Sequence, residues 1–441
     1  MKNALSKLGL FFIFFDNMYL PINLGFDFKL IYIFMIIFIA YAMSIVGTIK
    51  IRKEDIQIIT LLLLILGINL ITNLANIAFF IKQSIGISVS FIYSFLLISV
   101  YKFDFKKIIK DYILIVILAT IIGLSQFFFS NINKNHWGDL SFLGFDQGNR
   151  EFLKPPYRIH AWFMEPSFFV YAITPILFIA MARLFNITKI ISKFLAILII
   201  IAVILSKSAI GFLGIFAVLG LIILAKYSFV KNPAVLFGAS IFILLISIVI
   251  YQIPKVKERI DDSLSLVISD RVTSKQIDNL NLSSYALYSN YKVTVEAFKE
   301  NPILGSGLGS YEKQYDKYIN NVMPPNTFTE NKITLNRGEA NSFFQRFLSE
   351  TGLVGIAFYL WFIFHYKIKY PKNFLENKDL VLLWCFNNGL FVLFILRLLR
   401  NGHYLHLGIE FMWIMYYLTY LKFKKEQKIA IENKENQTLL E

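Results

Sequence analysis

Apolar residues run in long blocks along this chain, and polar residues collect in the gaps between them. Where about 17 or more residues are mostly apolar, a single helix can cross the hydrocarbon of a bilayer. Such blocks begin near Leu8, Lys29, Ile56, Ile77, Asp111, Pro166, Ile190, Ala209, Pro233, Asn341, Asp379 and Tyr404. The first, LGLFFIFFDNMYLP, is short and interrupted by Asp16, Asn17 and Pro21, so it reads as a broken helix. The pattern predicts an all-α polytopic membrane protein of about eleven to thirteen spans, with twelve the best count.

The gaps give the orientation. KIRKED, YKFDFKKIIKD, Arg183 to Lys193, AKYSFVKN, HYKIKYPKN and the tail KFKKEQK are all basic, and all fall on one side if the spans alternate. By the positive-inside rule that side is the cytoplasm, and both termini lie there. Two longer gaps fall on the external side: residues 131–165 and 252–340. Long loops are where binding and catalysis concentrate. The chain thus divides into N-terminal helices 1–130, an external loop 131–165, helices 166–251, a large external helical loop 252–340, helices 341–421 and a cytoplasmic tail 422–441. In the larger loop, SSYALYSNYKVTVEAFKE reads as an amphipathic helix with Tyr288, Tyr291, Val295 and Phe298 on its apolar stripe. Ser283 or Ser284 caps its start, Asn301-Pro302 ends it, and a second short helix starts near Ser310.

Composition agrees. Of 441 residues, 56% are hydrophobic and 17% charged, against about 25% charged in soluble domains. A net charge of +15 would suggest nucleic acid in a soluble protein, but here Lys and Arg sit in short loops and set topology. The single cysteine, Cys385, lies inside an apolar block and excludes an intrachain disulfide.

Four stretches carry candidate chemistry. NPILGSGLGSY has glycines at 305, 307 and 309, but a helix precedes them, the order is not that of a dinucleotide fingerprint, and no Walker lysine follows. It reads as a turn between helices, or as a backbone nest in which Gly305 and Gly307 bind an anion. RIHAWFMEPS puts Arg158, His160 and Glu165 at the mouth of a helix opened by Pro166, with Glu165 at or beside the N-cap. NSFFQRFLSETG sets Arg346 and Glu350 on one helix face below the external surface, as functional groups or as an ion pair fixing the bundle. LRLLRNGHYLHLG places Arg397 and Arg400 externally, against the positive-inside trend, and His403 and His406 follow. Tyr311, Tyr315 and Tyr318 form a stripe fit for stacking on sugars or for core packing. The scattered histidines lack the spacing of a metal site. Arginines, a histidine and carboxylates at one membrane face suit an anionic, lipid-linked substrate such as a pyrophosphate.

In order, RIHAWFMEPS, NPILGSGLGSY, NSFFQRFLSETGLVG and RNGHY resemble the signature of the O-antigen polymerase and ligase family, the first and last in particular its polymerase branch. The resemblance covers most of the chain from Tyr157 to Tyr404. It implies a glycosyltransferase that needs neither nucleotide sugar nor metal nor other cofactor. Such an enzyme moves a growing glycan from undecaprenyl pyrophosphate onto a new lipid-linked repeat unit, making O-antigen, capsule or related polysaccharide. It also implies membrane lipids, a flippase and a chain-length regulator as partners, and no nucleic acid. Carried onto matching positions, the resemblance points to Arg158, Glu165, Arg346, Glu350, Arg400 and His403, with Arg271 in SDRVTSK as a further pyrophosphate ligand. Arg158, Arg346, Arg397 and Arg400 would hold pyrophosphates, and Glu165 or His403 would take the proton from the attacking hydroxyl. The ligase branch usually has a histidine where this chain has Ala340, preceded by Glu339. Transfer of finished glycan to lipid A core or to protein is the alternative, and a lipid-linked oligosaccharide flippase is the third.

Overall fold

The computed structural model describes residues 2–15, 18–23, 27–46, 53–143, 153–155, 157–227, 237–238, 241, 248, 251–252, 254–268, 272–331, 333–406 and 408–438. The predicted span near Pro233 and the Arg271 position fall largely or wholly outside them. Helices account for nearly all the described structure: α1 (Lys2–Phe12), α2 (Leu30–Ile45), α3 (Lys53–Thr72), α4 (Ile77–Val100), α5 (Phe105–Asn131), α6 (Asn135–Gly138), α7 (Pro166–Leu184), α8 (Lys193–Leu205) and α9 (Ala209–Lys226). Then come α10 (Pro254–Ile268), α11 (Ser274–Asp278), α12 (Leu282–Glu300), α13 (Tyr311–Val322), α14 (Thr327–Glu330), α15 (Phe343–His365), α16 (Lys378–Leu399) and α17 (Ile409–Thr438). Among the described residues, seven helices are long and apolar enough to cross a membrane, and α2 and α8 are shorter apolar helices. The protein is membrane-integral.

The first apolar block departs from the single broken span expected of it. Helix α1 has 11 residues, a length of about 16 Å, roughly half the hydrocarbon thickness. A short antiparallel hairpin, Tyr19–Asn23 with Asp27–Lys29, follows it. Pro21 cannot donate the amide that a continuing helix would need. Helix α5 starts earlier than its apolar block, because Asp104 caps it by accepting from Lys107 N at 3.1 Å.

The core is built on α7 and α16, both almost wholly buried. They approach closely where Gly389 faces Pro175: a Cβ there would lie 2.5 Å from the Pro175 carbonyl. Contacts fix the direction of the helices. Arg158 reaches Ser206 after α8, Tyr171 reaches Arg400 after α16, and Asn69 near the end of α3 reaches Leu304. At the opposite end, Lys106 near the start of α5 pairs with Asp379 near the start of α16. One end of the bundle therefore gathers the C-termini of α3, α5, α8 and α16 with the N-termini of α7, α9, α15 and α17.

Against that end packs a second core formed by α11 to α14, with Ile277, Tyr285, Val293, Tyr311, Tyr315 and Met323 buried. The tyrosine stripe is core, not a platform for sugars: Tyr311 is 0% and Tyr315 1% exposed. Helix α12 also buries a different face from the one its apolar stripe suggests. Ser289, Asn290, Val293, Thr294 and Ala297 point inward, while Tyr291 is exposed. The polar members are tolerated because they are bonded: the Tyr311 hydroxyl donates to Asn290 Oδ1 at 2.9 Å, and Asn290 Nδ2 donates to Leu335 O at 3.1 Å. Its N-cap is Asn281, which accepts from Ser283 N and Ser284 N, so neither serine caps. Asn301 ends α12 and α13 starts at Ser310, as the sequence predicts, although the Ser310 side chain makes no cap bond.

Candidate active site

The NPILGSGLGSY motif forms a loop in which Gly305, Gly307 and Gly309 have φ of 70°, 103° and 80°, angles that favour glycine. Every amide from Gly305 to Tyr311 is bonded to a protein oxygen. Gly305 N donates to Asn301 O at 3.0 Å, Ser306 N to Ser349 O at 2.9 Å, Gly307 N to Glu350 O at 3.0 Å and Ser310 N to Gly307 O at 3.1 Å. Leu308 N donates to Asn69 Oδ1 at 3.0 Å. Gly309 N and Tyr311 N donate to the two carboxylate oxygens of Glu350 at 2.8 and 3.2 Å. The loop is thus a nest for an anion, but the anion is the protein's own carboxylate. Gly305 and Gly307 have no amide left for pyrophosphate, and their expected role is corrected accordingly.

Glu350 is 0% exposed. Beyond the two amides it accepts from the Tyr404 hydroxyl at 2.7 Å and from Arg346 Nε at 3.0 Å. Arg346 also donates to Gly402 O and to Gln83 Oε1, each at 3.1 Å, and lies over the Tyr404 ring at 4.3 Å. The pair expected as catalytic is therefore a closed ion pair. It joins α15, the glycine loop, the RNGHY loop and α4, and Glu350 has no surface with which to meet a substrate.

Three asparagines complete this joint. Asn69 Nδ2 donates to Leu304 O at 2.7 Å and Glu350 O at 3.0 Å. Asn73 donates to Gly305 O at 3.2 Å, and Asn76 to Ser306 O at 2.7 Å. Their spacing in NLITNLAN is that of one helical face within an apolar block, a signal legible in the sequence itself. Asn69→Ala leaves Leu308 N without its partner in a buried place. It should lower stability by about 1–3 kcal/mol, read as an earlier melt of the detergent-purified protein, with Asn73→Ala costing less.

The open part of the site lies at the RNGHY loop. Arg397 is 2% exposed and donates to His406 O at 3.2 Å and to His403 O. It shapes the loop from beneath rather than facing a ligand. Arg400, at the C-cap of α16, is half-buried, and its guanidinium has no hydrogen bond or ion pair among the described residues. His403 is exposed, and its Nε2 lies 2.8 Å from Glu339 Oε2. Burial pushes the Glu339 carboxyl up, but the His403 hydrogen bond and the charges of His403, His406 and Arg346 outweigh it and hold the carboxyl below its usual range. Glu339 thus stays ionised as pH falls, and the contact is lost only once pH passes below that depressed value.

Glu165 is the N-cap of α7 with Pro166 at the first helical position, as expected, and it accepts from the Ser167 hydroxyl at 2.9 Å. It makes no side-chain cap bond. The Tyr171 hydroxyl, which donates to Arg400 O at 3.0 Å, lies in the field of Arg400, Arg397, Glu165 and Glu339, so these groups share one neighbourhood. Arg158 is half-buried and donates to Ser206 O at 3.2 Å. His160 does not face the open part of the site. It is buried beside Phe163 O, 2.8 Å from Nδ1, and burial pushes its ring down to about 4, so it is neutral near pH 7. Among the described residues no cluster of His, Cys, Asp or Glu could hold a metal ion.

The described residues thus form an all but strand-free, membrane-integral fold with an arginine and a carboxylate-held histidine at one end of the bundle. Residues 194–360 match the family model for O-antigen ligase, which supports assignment of the chain to the O-antigen polymerase and ligase family. No curated protein matches the chain. The matched stretch holds the glycine loop, Glu339, Arg346 and Glu350. Glu165, Arg397, Arg400 and His403 lie outside it and reach the site only through the fold.

Proposed function

We propose that the protein is a polysaccharide polymerase that joins repeat units carried on undecaprenyl pyrophosphate at the external face of the bacterial cytoplasmic membrane. The observation that carries this reading is the RNGHY loop: an Arg400 guanidinium without a partner among the described residues, three residues from a histidine held by a carboxylate. Arg400, with Arg158, engages a pyrophosphate through bidentate forks. His403 takes the proton of the attacking hydroxyl. The hydroxyl oxygen bonds to the anomeric carbon of the growing glycan. The bond from that carbon to the lipid pyrophosphate breaks with its electron pair leaving on the phosphate oxygen, whose charge Arg400 stabilises. The proton on His403 then passes to water. Glu165, in the same neighbourhood, orients the acceptor.

On this reading about twelve helices cross the membrane with both termini inside, and the α10–α14 region covers the external face. The alternating directions of the described helices favour that topology. Ala340, where the ligase branch carries histidine, favours the polymerase over the ligase.

The test is complementation of a deletion strain. The deletion should leave single repeat units attached to the final acceptor, lipid A core or protein, whereas loss of a ligase leaves none attached there. Arg400→Ala and His403→Ala should each cut chain growth on the order of 100-fold at normal protein levels. Full-length polymer from both variants would overturn the site, and loss of all attached glycan in the deletion would make the protein a ligase.

A further inference from the structure

We propose that Glu339 is the positioning residue for His403. It accepts the Nε2–H and so leaves Nδ1 as the nitrogen that receives the hydroxyl proton. The proposal rests on the reading of His403 as the base.

The geometry around the 2.8 Å contact is more than a surface ion pair requires. Ala340 and Asn341, the two residues after Glu339, have φ of 58° and 59°, left-handed conformations that non-glycine residues adopt at a cost. An exposed ion pair contributes less than two such residues cost, so a tie between loops does not account for the strain.

The surrounding structure holds the strained turn from several sides. Asn336 Nδ2 donates to Asn341 Oδ1 at 2.7 Å, and Asn401 N donates to Asn341 O at 2.9 Å. Gly402 lies directly against the Glu339 carbonyl: a Cβ there would sit 1.6 Å from Glu339 O. On the other partner, Asn401 Oδ1 accepts from His403 N at 3.2 Å, and Arg397 donates to His403 O. Both backbones are thus fixed while the two side chains stay accessible, at 47% for His403 and 23% for Glu339. That combination suits a preorganised base at a surface that substrate must reach.

The carboxylate has a second effect. Cationic groups face the dyad from two elements, Arg346 from α15 and Arg397 from α16, and the His406 ring centroid lies 4.9 Å from that of His403. Glu165 on α7 is the other acid in the neighbourhood. An imidazolium formed on His403 would meet those cations, and Glu339 supplies the compensating negative charge.

The experiment uses the full-length protein in lipid nanodiscs with lipid-linked repeat units extracted from the deletion strain. Glu339→Gln should lower kcat on the order of 100-fold with KM within about twofold, since substrate binding is left to the arginines. Glu339→Asp should recover part of the loss. Nitrogen-15 NMR of histidine-labelled protein should show His403, assigned by its absence in His403→Ala, as the Nε2–H tautomer in the wild type and as a mixture in Glu339→Gln. Wild-type turnover in Glu339→Gln, or a wild-type His403 not in the Nε2–H form, would overturn the positioning role and leave the base assignment standing. Chain growth that survives in His403→Ala would overturn the base assignment itself.

Discussion

Glu350→Ala should destabilise the protein by about 3–5 kcal/mol, read as an earlier melt in detergent and a fall in membrane-inserted protein. The carboxylate is 0% exposed and is the common acceptor for Gly309 N, Tyr311 N, the Tyr404 hydroxyl and Arg346. Removing it leaves a buried guanidinium uncompensated and orphans two loop amides at once. Glu350→Gln keeps the shape but not the charge, and its amide N–H₂ would oppose one of the donors it replaces, so it should recover little. The double variant Arg346→Ala/Glu350→Ala should be less destabilised than the sum of its parts, because the uncompensated charge is gone. If Glu350→Ala melted like the wild type while chain growth ceased, the residue would be catalytic and the structural role wrong.

Gly352→Ala should be at least as damaging, about 3 kcal/mol or more. Gly352 sits inside α15 with φ 62° and ψ −159°, a kink in the helix. A Cβ there would lie 2.4 Å from the Ile303 carbonyl oxygen, and one on Gly305 would lie 2.4 Å from the Glu350 carbonyl carbon. The two glycines let two backbones meet directly. The kink frees the Leu353 and Val354 amides, which donate to Pro302 O at 2.9 Å and Ile303 O at 3.1 Å. Gly305→Ala should match Gly352→Ala, whereas Gly338→Ala, where nothing lies within 4 Å of the added carbon, should be near neutral. The comparison is one melting series, and equal melts for Gly352→Ala and Gly338→Ala would remove the backbone contact from the account.

Both predictions bear on how the site divides. The residues that draw attention in the sequence as charges in an apolar helix, Arg346 and Glu350, hold the fold together. Those that remain available to a substrate, Arg400 and His403, lie in the turn between two helices, where side chains can be accessible while the backbone is held. The arginine within α16, Arg397, serves the loop as a donor to its carbonyls. A charge at depth is costly unless bonded, so the deeper a group lies, the more of its hydrogen bonds the protein itself must fill.

The sequence by itself determined the class of protein, most of the helices and the helix ends at Pro166, Asn301 and Ser310, because apolar run length and local backbone chemistry act within a few residues. It also named the four motifs from which the site is assembled. Only the tertiary structure decided what each motif does. That the glycine loop binds an anion was legible as a possibility. That the anion is Glu350, some forty residues on, depends on how α15 kinks against the loop. The pairing of Glu339 with His403 was invisible for the same reason: those residues are 64 positions apart and meet because Gly402 lets one loop lie on the other. Periodicity and capping are properties of neighbours in the chain. Which carboxylate fills a nest, and which is left to hold a histidine, is settled by hydrogen bonds between segments that the chain order keeps far apart.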